Sequence, residues 1–425
     1  MVSEFNKCYN LTEIFTEDEV DVIIRKALGN GQWRLVRSDF KQMSDGLTGF
    51  LGDHIKGALH IEADGRIFTL FIFIKRMPRN NKPKADFITE HNYYKRERLV
   101  FSLFGNLEDF DSNPWIPKGY IYTDELLVLP DLSAEGYASR HHLDTLDLSH
   151  VLITATSLAR FHAAYANYES KKCVNNVPYN ILNDYGDIME EPTFKESPWL
   201  RAAAKLTANF LATFSTKYRS VDLESVLNVL YVEACDSLRD YEDTVNVLLH
   251  KDLWMNNIMF KYENGVPVNA ILVDFQCLRY APPAFDLMVF LYLTTSRSFR
   301  EKHEGEVLRH YYNTFCSLLD DKTTERIRNL GYDKEEFLDW CNRSRMFGML
   351  ETITIFPFVL MDPKTAEKTF DDPDTYAKYL HEDRSEPVIA YANKCSVYKE
   401  RQVEVCEEFV ERYVLNDIRQ MLVED

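Results

Sequence analysis

The sequence predicts an α+β chain of two lobes, a smaller one rich in strands and a larger one that is mainly helical. Three observations carry this. Strand-like segments crowd the first 130 of 425 residues, helical periodicity takes over near Leu132, and one compact strand–loop–strand block returns over 245–275. The expected division is an N-lobe over 1–130, with an antiparallel sheet and a helix, and a C-lobe over 131–425, because a switch from strands to helices marks separately layered packing.

The elements run in chain order. Thr16 and Glu19 have capping-box spacing, and the apolar-periodic run behind them stops at Gly29, so a helix opens the chain. Segments 33–41, 55–63 and 67–75 read as strands, and Asp64-Gly65 between the last two is a hairpin signal. Residues 86–103 have helical spacing, 120–122 and 125–130 form a second strand pair, and 146–166 is a long amphipathic helix. Further helices fill 198–241, and nearly everything from Phe285 onward reads helical, with turns at Gly331-Tyr332 and over 371–374.

Composition narrows the function. With 49 Lys and Arg against 67 Asp and Glu, the net charge of −18 excludes gripping nucleic-acid phosphates or an anionic membrane as the main work. A local basic pocket for a small phosphate ligand stays open. No apolar stretch approaches the ~20 residues that span a bilayer. The first residues lack a basic region ahead of an apolar run, so no signal peptide is expected. Eight cysteines without a C-x-x-C pair read as reduced thiols of a soluble, cytoplasmic chain.

The chemistry concentrates in His250-Lys251-Asp252-Leu253-Trp254-Met255-Asn256-Asn257, an H-x-D-x-x-x-x-N pattern directly after an apolar strand. Two short strands, 258–261 and 270–273, fold around Glu263-Asn264-Gly265 and bring Asn257 and Asp274 side by side. Paired Asn and Asp oxygens suit Mg²⁺, a hard cation that prefers oxygen ligands. Asp252, five residues before Asn257, would sit at the mouth of the loop and accept a proton from an attacking hydroxyl. Phosphoryl transfer needs this arrangement, in which the protein positions metal and nucleophile and does little covalent chemistry. Singly, each Asp or Asn is more readily a turn former or a cap; the combination with Val273-Asp274-Phe275 is what favours chemistry. His250 reads as a backbone brace.

This block resembles the catalytic segment of the protein-kinase-like superfamily, and specifically of the ecdysteroid kinase-like, choline-kinase-related small-molecule kinases. Residues 127–137 are similar to that family's lobe-connecting stretch, Leu158-Ala159-Arg160-Phe161-His162-Ala163 to the helix after it, and Pro283-Ala284-Phe285-Asp286-Leu287 to the helix start after the metal Asp. The resemblance covers roughly 45–290 and implies a bilobal protein-kinase-like fold using ATP and Mg²⁺. It implies Asp252 as catalytic base, Asn257 and Asp274 as metal ligands, and Lys75 on the α- and β-phosphates. It further implies Val128 and Leu129 against the nucleotide, with His250 and Asp286 as structural support. The helix partner of Lys75 is open between Glu90 and Glu97, each flanked by aromatics; Glu97 is preferred because 101–107 better resembles the family's stretch just after its Glu. Gly46, Gly49 and Gly52 lie where a phosphate-covering loop belongs. His162 reads as a satisfied core histidine.

Three positions depart from the pattern. Pro130 stands where an acidic residue is usual, Lys251 stands where a small residue is common and adds a positive charge next to Asp252, and Gln276 replaces the Gly of D-F-G, as it does across this family. Only twelve positions separate Asp274 from Asp286, too few for the activation segment of a protein kinase. The expected activity is phosphorylation of a hydroxyl on a small, hydrophobic molecule such as an ecdysteroid, another steroid or a xenobiotic alcohol. A choline- or aminoglycoside-type kinase and a catalytically silent nucleotide-binding module are the alternatives. Aromatic and Met side chains, among them Phe210, Tyr231, Trp340, Phe347, Phe356 and Phe358, read mostly as ordinary core at helical spacing, yet some are expected to wall an apolar acceptor cavity between the catalytic loop and the helices around 345–358.

Overall fold

The structure is a computed structural model that describes residues 8–43, 52–78, 82–105, 113–173, 178–370, 372 and 374–415. Gly46 and Gly49 lie outside these residues. In chain order the strands are β1 (Cys8–Tyr9), β2 (Trp33–Gln42), β3 (Asp53–Ala63), β4 (Arg66–Arg76), β5 (Ile121–Tyr122), β6 (Leu126–Pro130), β7 (Tyr137–Ala138), β8 (Val247–Leu249), β9 (Ile258–Glu263), β10 (Val266–Leu272) and β11 (Arg279–Ala281). Helices α1 (Leu11–Ile14) and α2 (Glu17–Leu28) precede β2, and α3 (Lys82–Glu90) and α4 (Tyr93–Phe104) come after β4. Between β7 and β8 run α5 (Leu148–Lys172), α6 (Leu182–Tyr185), α7 (Pro198–Phe214) and α8 (Glu224–Ser237). After β11 come α9 (Ala284–Thr294), α10 (Arg297–Ser317), α11 (Asp321–Asn329), α12 (Lys334–Val359), α13 (Pro363–Phe370), α14 (Tyr376–His381), α15 (Ser385–Ala392) and α16 (Ser396–Phe409). The α+β class is as the sequence predicts.

The chain falls into two compact units, Met1–Arg140 with Asn256–Leu278, and His141–Met255 with Arg279–Asp425. In the first, a sheet of order β1-β2-β3-β4-β6-β5 is antiparallel throughout. Its alternation is visible on β3, where Ile55, Leu59 and Ile61 turn inward to Ile23 and Ile24 of α2, Ile72, Ile74 and Val128. Each such fully buried Ile contributes about 1.5–3 kcal/mol of transfer free energy. The capping box forms, with the Glu19 N–H donating to Thr16 Oγ1 (3.3 Å) and the Thr16 N–H to Glu19 Oε2 (2.8 Å). The β3–β4 turn is made by Asp64 and Gly65 at φ 49° and 70°, the left-handed pair that a two-residue hairpin requires.

The helical stretch expected over 86–103 is broken in two. Asn92 sits at φ 56°, a left-handed conformation that Asn tolerates through its short polar side chain and that ends α3 before α4 begins. The β9–β10 hairpin groups with the first 140 residues because β7 pairs with β9 (Tyr137↔Lys261) and Leu132, Tyr137 and Ile271 share a small core.

The second unit is helical around α9, which is buried on every side and correspondingly apolar along its length. Helix α12 packs closely on α9: a Cβ on Gly348 would lie 2.9 Å from Met288 Cβ, so only glycine permits this approach. Helix α5 runs past the expected 146–166 to Lys172, and Arg326 of α11 ties its last turns at Glu169 (2.6 Å). Among the described residues no single helix is long and apolar enough to cross a membrane.

Candidate active site

In the first unit, β4 ends by delivering Lys75 into a closed polar cluster. Its register sets Lys75 opposite His54 on β3 and Leu127 on β6. The ammonium is 4% exposed, and it donates to Glu97 Oε2 (2.8 Å), Asp274 Oδ1 (2.6 Å) and Gln276 Oε1 (2.9 Å). An ammonium has three protons, so its donors are fully committed. Burial alone would lower its pKa, but the Asp274 and Glu97 carboxylates outweigh burial and hold it above the ordinary lysine range. Glu97, not Glu90, is the carboxylate at Lys75; Glu90 is exposed at the end of α3.

Asn257 and Asp274 bracket the β9–β10 hairpin, and the Val273 N–H donates to the Asn257 carbonyl (3.0 Å), which ties the two ends together. Asp274 sits at φ 68°, a left-handed conformation uncommon outside glycine and typical of functional turns. Val128 and Leu129 are buried in β6, paired with Ile74 and Phe73. His54, which sequence reasoning passed over, packs on Phe73 (5.3 Å between ring centroids), and burial together with the charge of Lys75 brings its pKa down to about 4. It is therefore a neutral imidazole at physiological pH.

The second unit holds the loop that carries Asp252. The Asp286 carboxylate, fully buried at the start of α9, accepts the His250 N–H (2.6 Å) and the Lys251 N–H (2.6 Å), and it meets His162 Nε2 (3.0 Å). His162 Nδ1 is in turn 2.5 Å from the Tyr311 hydroxyl. Lys251 stands at φ 62°, so this clamp holds the backbone in a conformation that L side chains seldom adopt. The Asp252 N–H donates to His250 Nδ1 (3.3 Å), and the Asp252 side chain is half-buried.

The charge that Lys251 adds to the loop is engaged elsewhere, on Glu191 Oε2 (2.7 Å), with the Phe194 ring 4.3 Å below the ammonium. Burial would raise the Glu191 pKa, but Lys251 and Arg279 bring it down to about 2. Glu351 on α12 behaves oppositely: burial lifts its pKa well above the carboxylate range despite the pull of Lys251, and its Oε2 has no hydrogen-bond partner.

The expected acceptor wall near 345–358 is corrected by the packing. Phe347 lies 5.6 Å from Phe194 and 5.8 Å from Phe285, Phe358 lies 4.5 Å from Phe370, and Tyr231 lies 5.4 Å from Phe409. These side chains fill the core of the helical unit. Two surface cavities of that unit lie elsewhere, one beside Phe214 and Lys399, the other beside Arg239 and Tyr280, and α12 lines neither.

Among the described residues no cluster of three or more His, Cys, Asp or Glu is arranged to hold a metal. Asn257 and Asp274 carry oxygens that could hold a Mg²⁺ taking its other ligands from phosphate and water. Sequence reasoning missed Gln276 as a partner of Lys75, Glu191 as the partner of Lys251, and His54. Gln276 alone carried a signal, being two residues beyond Asp274 and therefore on the same turn.

A model of the ecdysteroid kinase-like family matches residues 50–323. Among solved structures, the chain is similar to a protein of Ralstonia eutropha JMP134 assigned as an aminoglycoside phosphotransferase (11% identity, 93% of this chain and 99% of that one, TM-score 0.38). It is also similar to a microcompartment-associated aminopropanol kinase (12%, 92% and 94%, TM-score 0.36). A third likeness is to the ADP-bound aminoglycoside phosphotransferase APH(2'')-Ib (13%, 79% and 99%, TM-score 0.32). No curated protein matches the sequence.

Proposed function

Because the chain belongs to the ecdysteroid kinase-like family, a family of small-molecule kinases, we propose that it transfers the γ-phosphoryl group of ATP to a hydroxyl of a small, largely hydrophobic molecule in the cytoplasm. An ecdysteroid, another steroid or a xenobiotic alcohol is the acceptor class we favour. The observation that carries this reading is the buried Lys75 ammonium shared by Glu97, Asp274 and Gln276. A buried cation held by acids at a strand end suits the α- and β-phosphates of a nucleotide.

In this reading Val128 and Leu129 line the nucleotide, and Asn257 and Asp274 hold Mg²⁺. When bound, the metal neutralises developing charge on the transferred group. Asp274 is the Lys75 partner with the most exposed side chain (19%, against 3% for Glu97), so it is the one that can release Lys75 to a phosphate. Asp252 accepts the proton of the acceptor hydroxyl, and Asp286, through His250 and Lys251, fixes the backbone that presents it.

The test is ADP release with and without Mg²⁺ against pooled steroids, xenobiotic alcohols, choline and aminoglycosides. Asp252→Ala should cut transfer by about 10²–10⁴-fold, as expected for loss of a general base, and leave nucleotide affinity unchanged. An Asp252→Ala enzyme with near wild-type turnover would overturn the role. Release with choline or kanamycin alone would move the acceptor to cationic alcohols, and MgATP binding without release would indicate a silent module.

A further inference from the structure

Tyr94 has a hydroxyl with no hydrogen-bond partner among the described residues. It stands on α4 one turn before Glu97, so both side chains share the face that α4 turns toward Lys75. The centre of its ring is 5.7 Å from Lys75 Nζ. The hydroxyl oxygen is buried and has no hydrogen-bond partner. Glu97 Oε2, Asp274 Oδ1 and Gln276 Oε1 each accept a hydrogen bond from Lys75 and none from Tyr94. Buried hydroxyls in folded proteins are overwhelmingly paired, so one left alone beside a buried cation calls for a partner such as a water, an ion or a ligand.

The space around the hydroxyl is shaped as well. A Cβ built on Gly52 would fall 2.8 Å from the Tyr94 oxygen, 3.2 Å from the Arg76 carbonyl and 3.3 Å from Lys75 Cγ. Only glycine lets the chain approach this cradle so closely. Burial, with Glu97, Asp274 and Asp53 close by, raises the Tyr94 pKa, so the group stays an O–H donor and never becomes a phenolate. A cation, an O–H donor and a backbone stripped of its side chain together make a binding set for an anionic oxygen.

We propose that Tyr94 is a nucleotide-binding residue whose hydroxyl donates a hydrogen bond to a phosphate oxygen of the nucleotide held at Lys75. The proposal rests on the kinase reading above. It adds a contact that the H-x-D-x-x-x-x-N block, the Lys75–Glu97 pair and the glycine loop do not include, and no bond is made or broken in it.

The experiment is calorimetric titration of wild-type, Tyr94→Phe and Gly52→Ala chains with MgATP, MgADP and adenosine, alongside the melting temperature of each ligand-free chain. Removing one hydrogen bond to a charged oxygen should weaken ATP and ADP binding about tenfold in Tyr94→Phe. Adenosine affinity should be unchanged, and the ligand-free melting temperature equal or higher, because an unpaired buried hydroxyl is gone. Gly52→Ala, which fills the cradle and leaves the hydroxyl in place, should weaken ATP at least as much. Wild-type ATP affinity in Tyr94→Phe, or an equal loss for adenosine, would overturn the proposal and leave the kinase reading intact. A wild-type chain that binds no MgATP would overturn both.

Discussion

Lys75 and Arg384 are both buried cations, and the protein houses them in opposite ways. Lys75 spends all three protons on two carboxylates and an amide. Arg384, between α14 and α15, is fully buried, its guanidinium 5.1 Å from the centre of the Trp199 ring and 5.3 Å from that of Phe358. Among the described residues it donates to the Trp199 carbonyl (3.3 Å), while its Nε and Nη1 have no partner there. Burial brings its pKa down to about 10, with only partial relief from Tyr231, Tyr398 and Asp383. An acid-bound cation can exchange one acid for a ligand's anion. A cation packed against aromatic faces behaves as a large, flat core side chain with a residual cation–π attraction. Burial of charge is therefore a poor guide to function unless the partners are counted.

Lys75→Met attacks the first arrangement directly and should give the largest effect. It leaves Glu97 and Asp274 facing each other without a cation, which should cost about 3–5 kcal/mol in denaturant melts and suppress transfer by about 10²–10³-fold. A stable, active Lys75→Met chain would erase the distinction between the two cations.

Lys251→Met probes a pair between the extremes. Glu191 has a folded-state pKa of about 2 against an ordinary 4.5. A depressed carboxyl stabilises the fold above its unfolded pKa and loses that contribution as pH falls through its folded one, here from about 4.5 down to about 2. That difference corresponds to about 3 kcal/mol. Removing Lys251 should lower stability at neutral pH and flatten the acid limb of a stability–pH profile; an unchanged limb would show that Arg279 alone holds Glu191.

Glu97→Gln should raise the KM for ATP or lower kcat, while Glu90→Gln should leave both unchanged in steady-state assays. The reverse pattern would put the polar partner of Lys75 elsewhere. Arg384→Met should do least, with stability within about 1 kcal/mol of wild type or above it, since a similar volume of apolar side chain replaces a poorly paired charge. A loss of several kcal/mol on melting would mean that the aromatic faces hold the guanidinium more strongly than the comparison allows.

The same contrast separates what the sequence disclosed from what it withheld. The strands of the first sheet were legible because alternation and Asp64-Gly65 act locally, and Asp274 could be named because a hairpin exit is a local position too, whereas Lys75, a lone lysine at a strand end, was named only through the resemblance of the block downstream. The break at Asn92 was not legible, since a left-handed residue inside a helical pattern announces itself only through its φ. Glu191 lies sixty residues before Lys251, so no spacing rule connects them. The aromatic residues of α12 misled for a different reason: a pocket wall and a core have the same composition, and only packing tells them apart.

The hairpin that carries Asn257 and Asp274 belongs with a sheet laid down in the first 140 residues, yet residues 141–255 are made in between. On the ribosome, Leu132 and Tyr137 must wait for Ile271 before their small core can close. Lys75 must likewise wait for Asp274 and Gln276 before its charge is fully partnered. The proposed nucleotide end of this chain is thus completed only once residue 276 has been made, although most of it lies before residue 140. A nascent chain stalled before residue 256 should remain sensitive to protease across β4 and α4 until that late hairpin arrives.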